Sequence, residues 1–146
     1  MRKIFVDTNI LIFATFVGSP FNEDARAVLK NLSLSGAELV ISSQVLREYA
    51  CNMTAHKYAL RAAVERNITR FQQMTVLYDT PSVFQRWNLL MQQYTVSGKA
   101  VYDCNIVATM LEHGVSEIVT HNVKDFTRYA ALLNVIPFVP SSSTTP

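Results

Sequence analysis

The sequence alternates short β-branched and aromatic runs with longer amphipathic segments, and this alternation limits the possible folds more than any other feature. Runs with strand character cover residues 4–6, 37–41, 75–78, 115–120 and 135–139. Segments with helical character lie between them, at residues 8–17, 22–36, 43–53, 54–74, 81–98, 99–113 and 121–133. Strands that alternate with helices form βαβ units, whose parallel sheet is covered on both faces. We therefore predict an α/β fold in three layers, α/β/α, with a central parallel sheet of about four to five strands.

The composition predicts one compact domain over residues 1–139. Of the 146 residues, 49% are hydrophobic and 16% are charged, which is enough apolar material for a single core. Residues 140–146 consist only of Pro, Ser and Thr, so we expect a disordered C-terminal tail. The net charge of +2 is too small to indicate a dedicated nucleic-acid-binding module.

The sequence also favours a cytoplasmic protein that does not enter a membrane. The uncharged stretch at residues 10–17 is far shorter than the roughly 20 residues that a membrane-spanning helix needs. Cys51 and Cys104 both fall in helix-like segments, and two thiols are a poor basis for a disulfide framework. We expect both to be reduced residues of the core.

Two aspartates lie at positions where burial of a charged carboxylate would cost free energy. Asp7 directly follows the first strand, and Asp103 shares a helical face with Ile106 and Val107. An unpaired carboxylate in apolar surroundings costs several kcal/mol unless it is neutralised, hydrogen-bonded or bound to a cation. A structural explanation is open for each, because Asp7 can cap a helix and Lys99 can pair with Asp103 at the surface.

Glu48 is a weaker candidate of the same kind. Its neighbours at helical spacing include the apolar Val45 and Cys51, which favour a position near the core. They also include Gln44 and Asn52, which favour a solvated glutamate at the edge of a helix. Both interpretations stay open at this point.

The last candidates lie in the turn after the fourth strand, at residues 120–126. Asn122 and Asp125 are either turn formers and helix caps or oxygen donors of a site. Parallel sheets bind ligands at the carboxyl ends of their strands, and that edge would bring this turn close to Asp7. Oxygen donors from four segments at one edge suit a hard divalent cation, because Mg²⁺ binds carboxylates and keeps several waters. No Cys or His stands at zinc spacing, and the chain has no Gly-rich phosphate loop.

Four of these segments, taken together, resemble the motifs of PIN domains. The first is Val6-Asp7-Thr8-Asn9-Ile10, and the second runs from Ser42 to Glu48. The third is Asp103-Cys104-Asn105-Ile106-Val107-Ala108, and the fourth is Thr120-His121-Asn122-Val123-Lys124-Asp125-Phe126. Their order and spacing are kept over residues 2 to about 139. The chain is small and has no added RNA-binding module. In this respect it is most similar to VapC-like toxins of type II (VapBC) toxin–antitoxin systems.

The resemblance implies a ligand set for one or two Mg²⁺ or Mn²⁺ ions. Asp7, Glu48, Asp103 and Asp125 would be the acidic catalytic residues, and Asp7, Glu48 and Asp103 would bind the metal. Either Asn122 or Asp125 would supply the fourth ligand, because many family members have an aspartate where this chain has Asn122. Supporting roles would fall to Thr8, Asn9 and Thr120.

The resemblance further implies an endoribonuclease that hydrolyses phosphodiester bonds of tRNA, rRNA or mRNA. A VapB-like antitoxin and a second copy of the chain would be its protein partners. Lys99, Lys124 and Arg128 lie close in sequence to the site and could contact RNA phosphates. Two alternatives are a PIN-domain nuclease of RNA processing or decay, and a non-catalytic PIN module that binds RNA or a partner.

Overall fold

The computed structural model describes residues 1–141 and contains one five-stranded parallel sheet. The strands are β1 (Lys3–Val6), β2 (Glu38–Ser42), β3 (Thr75–Leu77), β4 (Glu117–Thr120) and β5 (Asn134–Pro137). Their order across the sheet is β3-β2-β1-β4-β5, and every neighbouring pair is parallel. The α/β fold predicted from the sequence is confirmed.

Six α-helices and one 3₁₀ helix connect the strands in this part of the chain. They are α1 (Thr8–Thr15), α2 (Asn22–Leu34), α3 (Ser43–Ala55), α4 (Arg61–Phe71), α5 (Pro81–Gln93), α6 (Ala100–Glu112) and the 3₁₀ helix (Val123–Tyr129). Helix α1 packs against α2 and α3, and α3 packs against α4, whereas α5 packs against α6. Because crossovers between parallel strands are right-handed, the helices before β3 and those after it lie on opposite faces of the sheet.

The three inner strands form the centre of the core. Ile4, Phe5 and Val6 of β1 are fully buried, as are Val40 and Ile41 of β2. In β4, Ile118 and Val119 are also fully buried. Strands that are apolar on both sides are typical of a parallel sheet covered by helices on both faces.

The sheet also determines where a ligand site can form. The chain runs from β1 outward to β3 and then crosses back to β4, so its direction across the sheet reverses between β1 and β4. The backbone N–H of Asp7 donates to the carbonyl of Val119 at 3.1 Å, which holds the ends of these two strands together. Loops diverge at such a reversal point and leave a crevice at the carboxyl ends of the strands.

The predicted continuous helix over residues 54–74 is wrong. Helix α3 continues to Ala55, and α4 begins only at Arg61. Lys57 between them has a positive φ of 53°. The ring of Tyr58 lies between two others, 4.4 Å from the ring of Phe16 and 5.1 Å from that of His56. Packing of this tyrosine against Phe16, the residue that follows α1, ends the helix, and local composition gives no sign of it.

Helix α5 also ends earlier than expected, at Gln93 and not near Gly98. Thr95 follows with a positive φ of 50°, which is incompatible with a continuing helix. One expectation for the cysteines is corrected as well: Cys104 is buried, but Cys51 lies on an exposed face of α3.

Two expectations concern the ends and surfaces of the chain. No helix within residues 1–141 is long and apolar enough to cross a membrane. In the predicted tail, Ser141 is hydrogen-bonded to Asp24, through its N–H at 2.9 Å and its hydroxyl at 3.0 Å. The remainder of the tail, residues 142–146, lies outside the described residues.

Candidate functional site

Asp7 combines a structural role with a place in the site. It is the N-cap of α1, and its Oδ1 accepts a hydrogen bond from the N–H of Thr8 at 2.8 Å. Its Oδ2 accepts from the hydroxyl of Thr120 at 2.7 Å and from the side-chain amide of Asn9 at 3.2 Å. Only 6% of Asp7 is exposed. This burial raises the pKa of Asp7 to about 6, against the hydrogen bonds from Thr120 and Thr8, which lower it.

Thr120 and Asn9 connect the end of β4 to the start of α1. The Oγ1 of Thr120, besides donating to Asp7, accepts from the N–H of Asn122 at 3.0 Å. The Oδ1 of Asn9 accepts from the N–H of His121 at 3.1 Å. These bonds fix the turn after β4 relative to Asp7. Thr120 and Asn9 therefore support the site without themselves having to bind a ligand.

Glu48 is held at both carboxylate oxygens. Its Oε2 accepts from the hydroxyl of Thr8 at 2.7 Å, and its Oε1 accepts from the side-chain amide of Gln44 at 2.7 Å. Asn52, one turn further along α3, donates to the main-chain carbonyl of Glu48 at 2.9 Å. The glutamate is thus partly buried and oriented, and the interpretation as a freely solvated side chain is wrong.

Asp103 lies in the first turn of α6 and is half-buried. Within residues 1–141 its carboxylate receives no hydrogen bond and forms no salt bridge, so the alternative explanation, a surface pair with Lys99, is wrong. Burial, followed by the charges of Asp125, Asp7 and Glu48, raises the pKa of Asp103 to about 7, and Arg128 opposes this rise. The negative charge of Asp103 is therefore not neutralised by a direct ion pair within residues 1–141.

The turn after β4 contributes Asn122 and Asp125, both exposed. Asn122 occupies the N-cap position of the 3₁₀ helix, as one interpretation of the turn expected, but its side chain makes no capping hydrogen bond. The N–H of Asp125 donates to the main-chain carbonyl of Asn122 at 3.0 Å, which closes the turn. Both side chains border the same space, so the choice between them as fourth ligand stays open.

The candidate ligands line one small cavity of about 210 Å³ at the reversal point of the sheet. Four carboxylates from four separate elements are included. The lining residues are Asp7, Thr8, Asn9, Ile12, Glu48, Asn52, Asp103, Asn122 and Asp125. We call this space the acidic cavity. A larger groove of about 540 Å³ adjoins it and shares Glu48, but its lining is mainly apolar and aromatic, with Phe84, Trp87 and Tyr102.

The donor set of the acidic cavity fits a hard divalent cation. Its carboxylate and amide oxygens are the ligands that Mg²⁺ and Mn²⁺ prefer, and the carboxylate of Asp103 has no internal partner in the part of the chain that is described. Within that part, no group of three or more Asp, Glu, His or Cys side chains is placed so that it could by itself hold a metal ion. Mg²⁺ does not require such a set, because it retains several waters and binds through one or two carboxylates.

The three candidate phosphate-binding cations do not line this cavity, but Arg128 lies near enough to Asp103 for its charge to lower the pKa of that carboxyl group. Lys124 and Arg128 are exposed on the 3₁₀ helix that follows Asn122. Lys99 is exposed immediately before α6, one turn ahead of Asp103. None of the three forms a salt bridge within residues 1–141, so no acidic side chain of this part of the protein neutralises their charges by direct pairing.

Two residues of the site were missed at the level of the sequence. Gln44 contacts Glu48, and Asn105 donates to the Oε1 of Gln44 at 2.7 Å. A weak signal was present, because Gln44 and Asn52 stand one turn from Glu48 and Asn105 follows Asp103 by two residues. Polar neighbours of Glu48 favour a solvated position, whereas in the structure one of them, Gln44, binds its carboxylate.

The fold and the cavity define a class: a parallel α/β domain with a carboxylate site at the reversal point of its sheet. Comparison with known proteins gives the family. Residues 4–132 match the family described as "PIN domain", which is most of the chain. The protein therefore belongs to the PIN domain family.

Proteins similar to this chain include a named ribonuclease and solved structures from toxin–antitoxin systems. The protein is similar to "Ribonuclease VapC24" of Mycobacterium tuberculosis, with 25% identity over 130 residues, 85% of this chain and 89% of that protein. Its fold matches VapBC2 from Rickettsia felis, solved on a promoter DNA fragment, with TM-score 0.72, 18% identity and coverage of 94% and 100%. It also matches M. tuberculosis VapC20, described as a sarcin–ricin loop cleaving toxin, with TM-score 0.64, 20% identity and coverage of 90% and 96%.

Proposed function

We propose that this protein is an endoribonuclease that depends on Mg²⁺ or Mn²⁺, and that it is the toxin of a VapBC-type pair. The observation that carries the proposal is the acidic cavity, where four carboxylates from separate elements surround one small space. Membership of the PIN family and similarity to a named ribonuclease support the same activity. The substrate would be an RNA, of the tRNA, rRNA or mRNA class.

Asp7, Glu48 and Asp103 would hold one or two ions, with Asn122 or Asp125 as the remaining ligand. When bound, the ion would stabilise negative charge at the scissile phosphate and make a water molecule more acidic. Asp7 and Glu48 are fixed by hydrogen bonds at both oxygens, so they are preorganised to bind and to orient. Asp103, which receives no hydrogen bond from residues 1–141, is the carboxylate that is free to accept a proton from the attacking water.

RNA would approach over Lys99, Lys124 and Arg128. Lys124 and Arg128 lie on the 3₁₀ helix that carries Asp125, and Lys99 precedes the helix that carries Asp103, so these cations could contact RNA phosphates near the scissile bond. Four carboxylates repel a phosphodiester, and these cations together with the bound ion would offset that repulsion. Recognition of exposed single-stranded positions is expected, because no base-reading motif is present in the sequence.

Cleavage of an RNA panel by the purified protein tests the proposal. The panel holds tRNA, mRNA and a sarcin–ricin loop fragment, each incubated with Mg²⁺, with Mn²⁺ or with EDTA. We expect metal-dependent cleavage that Asp7→Asn and Asp103→Asn abolish. Asp24→Asn is the matched control, because Asp24 lies outside the acidic cavity and should leave cleavage intact. Equal cleavage by wild type and Asp7→Asn would indicate a contaminating nuclease and would refute the assignment.

The toxin role and the partners are tested separately. Expression of the wild-type chain should arrest growth, and expression of Asp7→Asn should not. A small protein encoded beside this one should restore growth and suppress cleavage if it is the antitoxin. Light scattering of the purified protein should give the mass of a homodimer. Cleavage without growth arrest would instead favour a nuclease of RNA processing or decay.

A further inference from the structure

A group of side-chain hydrogen bonds joins the two helices that carry Glu48 and Asp103. Gln44 of α3 donates through Nε2 to Oε1 of Glu48 at 2.7 Å and to the main-chain carbonyl of Tyr102 in α6 at 3.0 Å. Asn105 of α6 donates through Nδ2 to Oε1 of Gln44 at 2.7 Å and to Oδ1 of Asp79 at 3.3 Å. We call Gln44 and Asn105 the amide bridge.

The partners of the amide bridge permit only one orientation of the Gln44 amide. Glu48 and the carbonyl of Tyr102 can only accept, so they require the NH₂ group of Gln44 on their side. Asn105 offers an NH₂ group, so it requires the oxygen of Gln44 on the other side. Both hydrogens and the oxygen of Gln44 are thereby used, and its side chain is fixed.

We propose that Gln44 is a positioning residue for Glu48, and that Asn105 fixes the amide of Gln44 and so the placement of Glu48 relative to Asp103. The reason is connectivity: Tyr102 and Asn105 flank Asp103 on α6, whereas Gln44 lies one turn before Glu48 on α3. The inference rests on the proposed metal-dependent nuclease. Hydrogen bonds that orient the ligands of a metal commonly change its affinity 10- to 100-fold when they are removed.

Gln44→Met tests the proposal, because it keeps the length of the side chain and removes all three of its hydrogen bonds. Gln85→Met is the matched control, since Gln85 is exposed on α5 and does not line the acidic cavity. The primary readout is the dissociation constant for Mn²⁺, measured by calorimetry without RNA. The second is the division of any loss of RNA cleavage between kcat and KM, and unfolding by denaturant in EDTA reports on structural damage.

We expect Gln44→Met to weaken Mn²⁺ binding at least tenfold and to lower kcat with little change in KM. Asn105→Ala should have a smaller effect of the same kind, because the bond from Gln44 to Glu48 can still form. The loss of Mn²⁺ affinity in Asn105→Asp should exceed that in Asn105→Ala. A carboxylate at this position only accepts hydrogen bonds, so it favours the flipped amide of Gln44, whose oxygen then faces Glu48. Gln85→Met should match the wild type in every readout.

Unchanged Mn²⁺ affinity and kcat in Gln44→Met, with a wild-type protein that binds Mn²⁺ and cuts RNA, would overturn the proposal. A loss of metal binding that only parallels a loss of folded protein in EDTA would overturn it as well. If the wild type neither binds Mn²⁺ nor cuts RNA, the proposed metal-dependent nuclease is itself refuted, whatever the variants do. The two failures are therefore distinguishable.

Discussion

Replacing Asp103 by Asn should stabilise the metal-free protein at neutral pH while it abolishes cleavage. In the folded protein the pKa of Asp103 is about 7, against an ordinary value of 3.8, because of burial and the charges of Asp125, Asp7 and Glu48. The folded state therefore holds the proton more tightly than the unfolded state. The stability associated with the protonated group is complete below pH 4 and is lost as the pH rises through about 7.

The magnitude follows from the pKa difference. One pKa unit corresponds to about 1.4 kcal/mol, so the full difference would amount to at most roughly 4 kcal/mol. Asp103 is only half-buried, and solvent screening reduces this figure to about 1–2 kcal/mol. Asn has nearly the same shape and no charge, and no hydrogen bond to Asp103 from residues 1–141 is lost.

Denaturant unfolding in EDTA at pH 5, 6, 7 and 8 measures the effect. The wild type should lose stability steadily over this range, and Asp103→Asn should lose roughly 1 kcal/mol less, because about two thirds of the pKa difference lies above pH 5. Asp24→Asn serves as the control outside the acidic cavity and should follow the wild-type slope. Identical pH slopes for Asp103→Asn and wild type, or a variant less stable at pH 8, would refute the reasoning.

Three further predictions concern the same site. Mg²⁺ at about 100 times its dissociation constant should raise the unfolding free energy of the wild type by roughly 2.7 kcal/mol, and should leave Asp103→Asn nearly unchanged in a parallel melt. Thr120→Val removes the hydroxyl donor to Asp7, so it should cost about 1–3 kcal/mol at pH 8 and less at pH 5 in denaturant titrations. Neutralising Lys99, Lys124 and Arg128 together should weaken RNA binding and reduce its log–log salt slope by about 2 for a single strand, and an unchanged slope would contradict the phosphate contacts.

The sequence was sufficient for the fold class because its main signal is local. Each strand is a short apolar run and each connection is helical, so the βαβ pattern and the five strands could be recognised without tertiary information. The order of the strands could not be derived, since it depends on which distant segments pair. The break between α3 and α4 was missed for the same reason, because contacts of Tyr58 with Phe16 and His56 end the helix.

The site could be predicted where a residue's position in an element determines its location. Asp7 follows β1 and Asn122 follows β4, so both had to lie at the carboxyl edge of a parallel sheet. Glu48 was ambiguous, since it stands within a helix of mixed character, and its orientation depends on a tertiary contact with Thr8 as well as on Gln44 one turn earlier in the same helix. Asn105 could not be linked to Glu48 at all, because Gln44 connects them across two helices distant in sequence.

Anomalous scattering from crystals soaked in Mn²⁺ would test most directly whether the acidic cavity is a metal site. We predict a peak among the carboxylates of Asp7, Glu48 and Asp103 in the wild type, and no peak there in Asp103→Asn. Its distances to Asn122 and Asp125 would identify the fourth ligand. A protein that cuts RNA only with Mn²⁺ but binds the ion elsewhere, with an empty acidic cavity, would contradict the account.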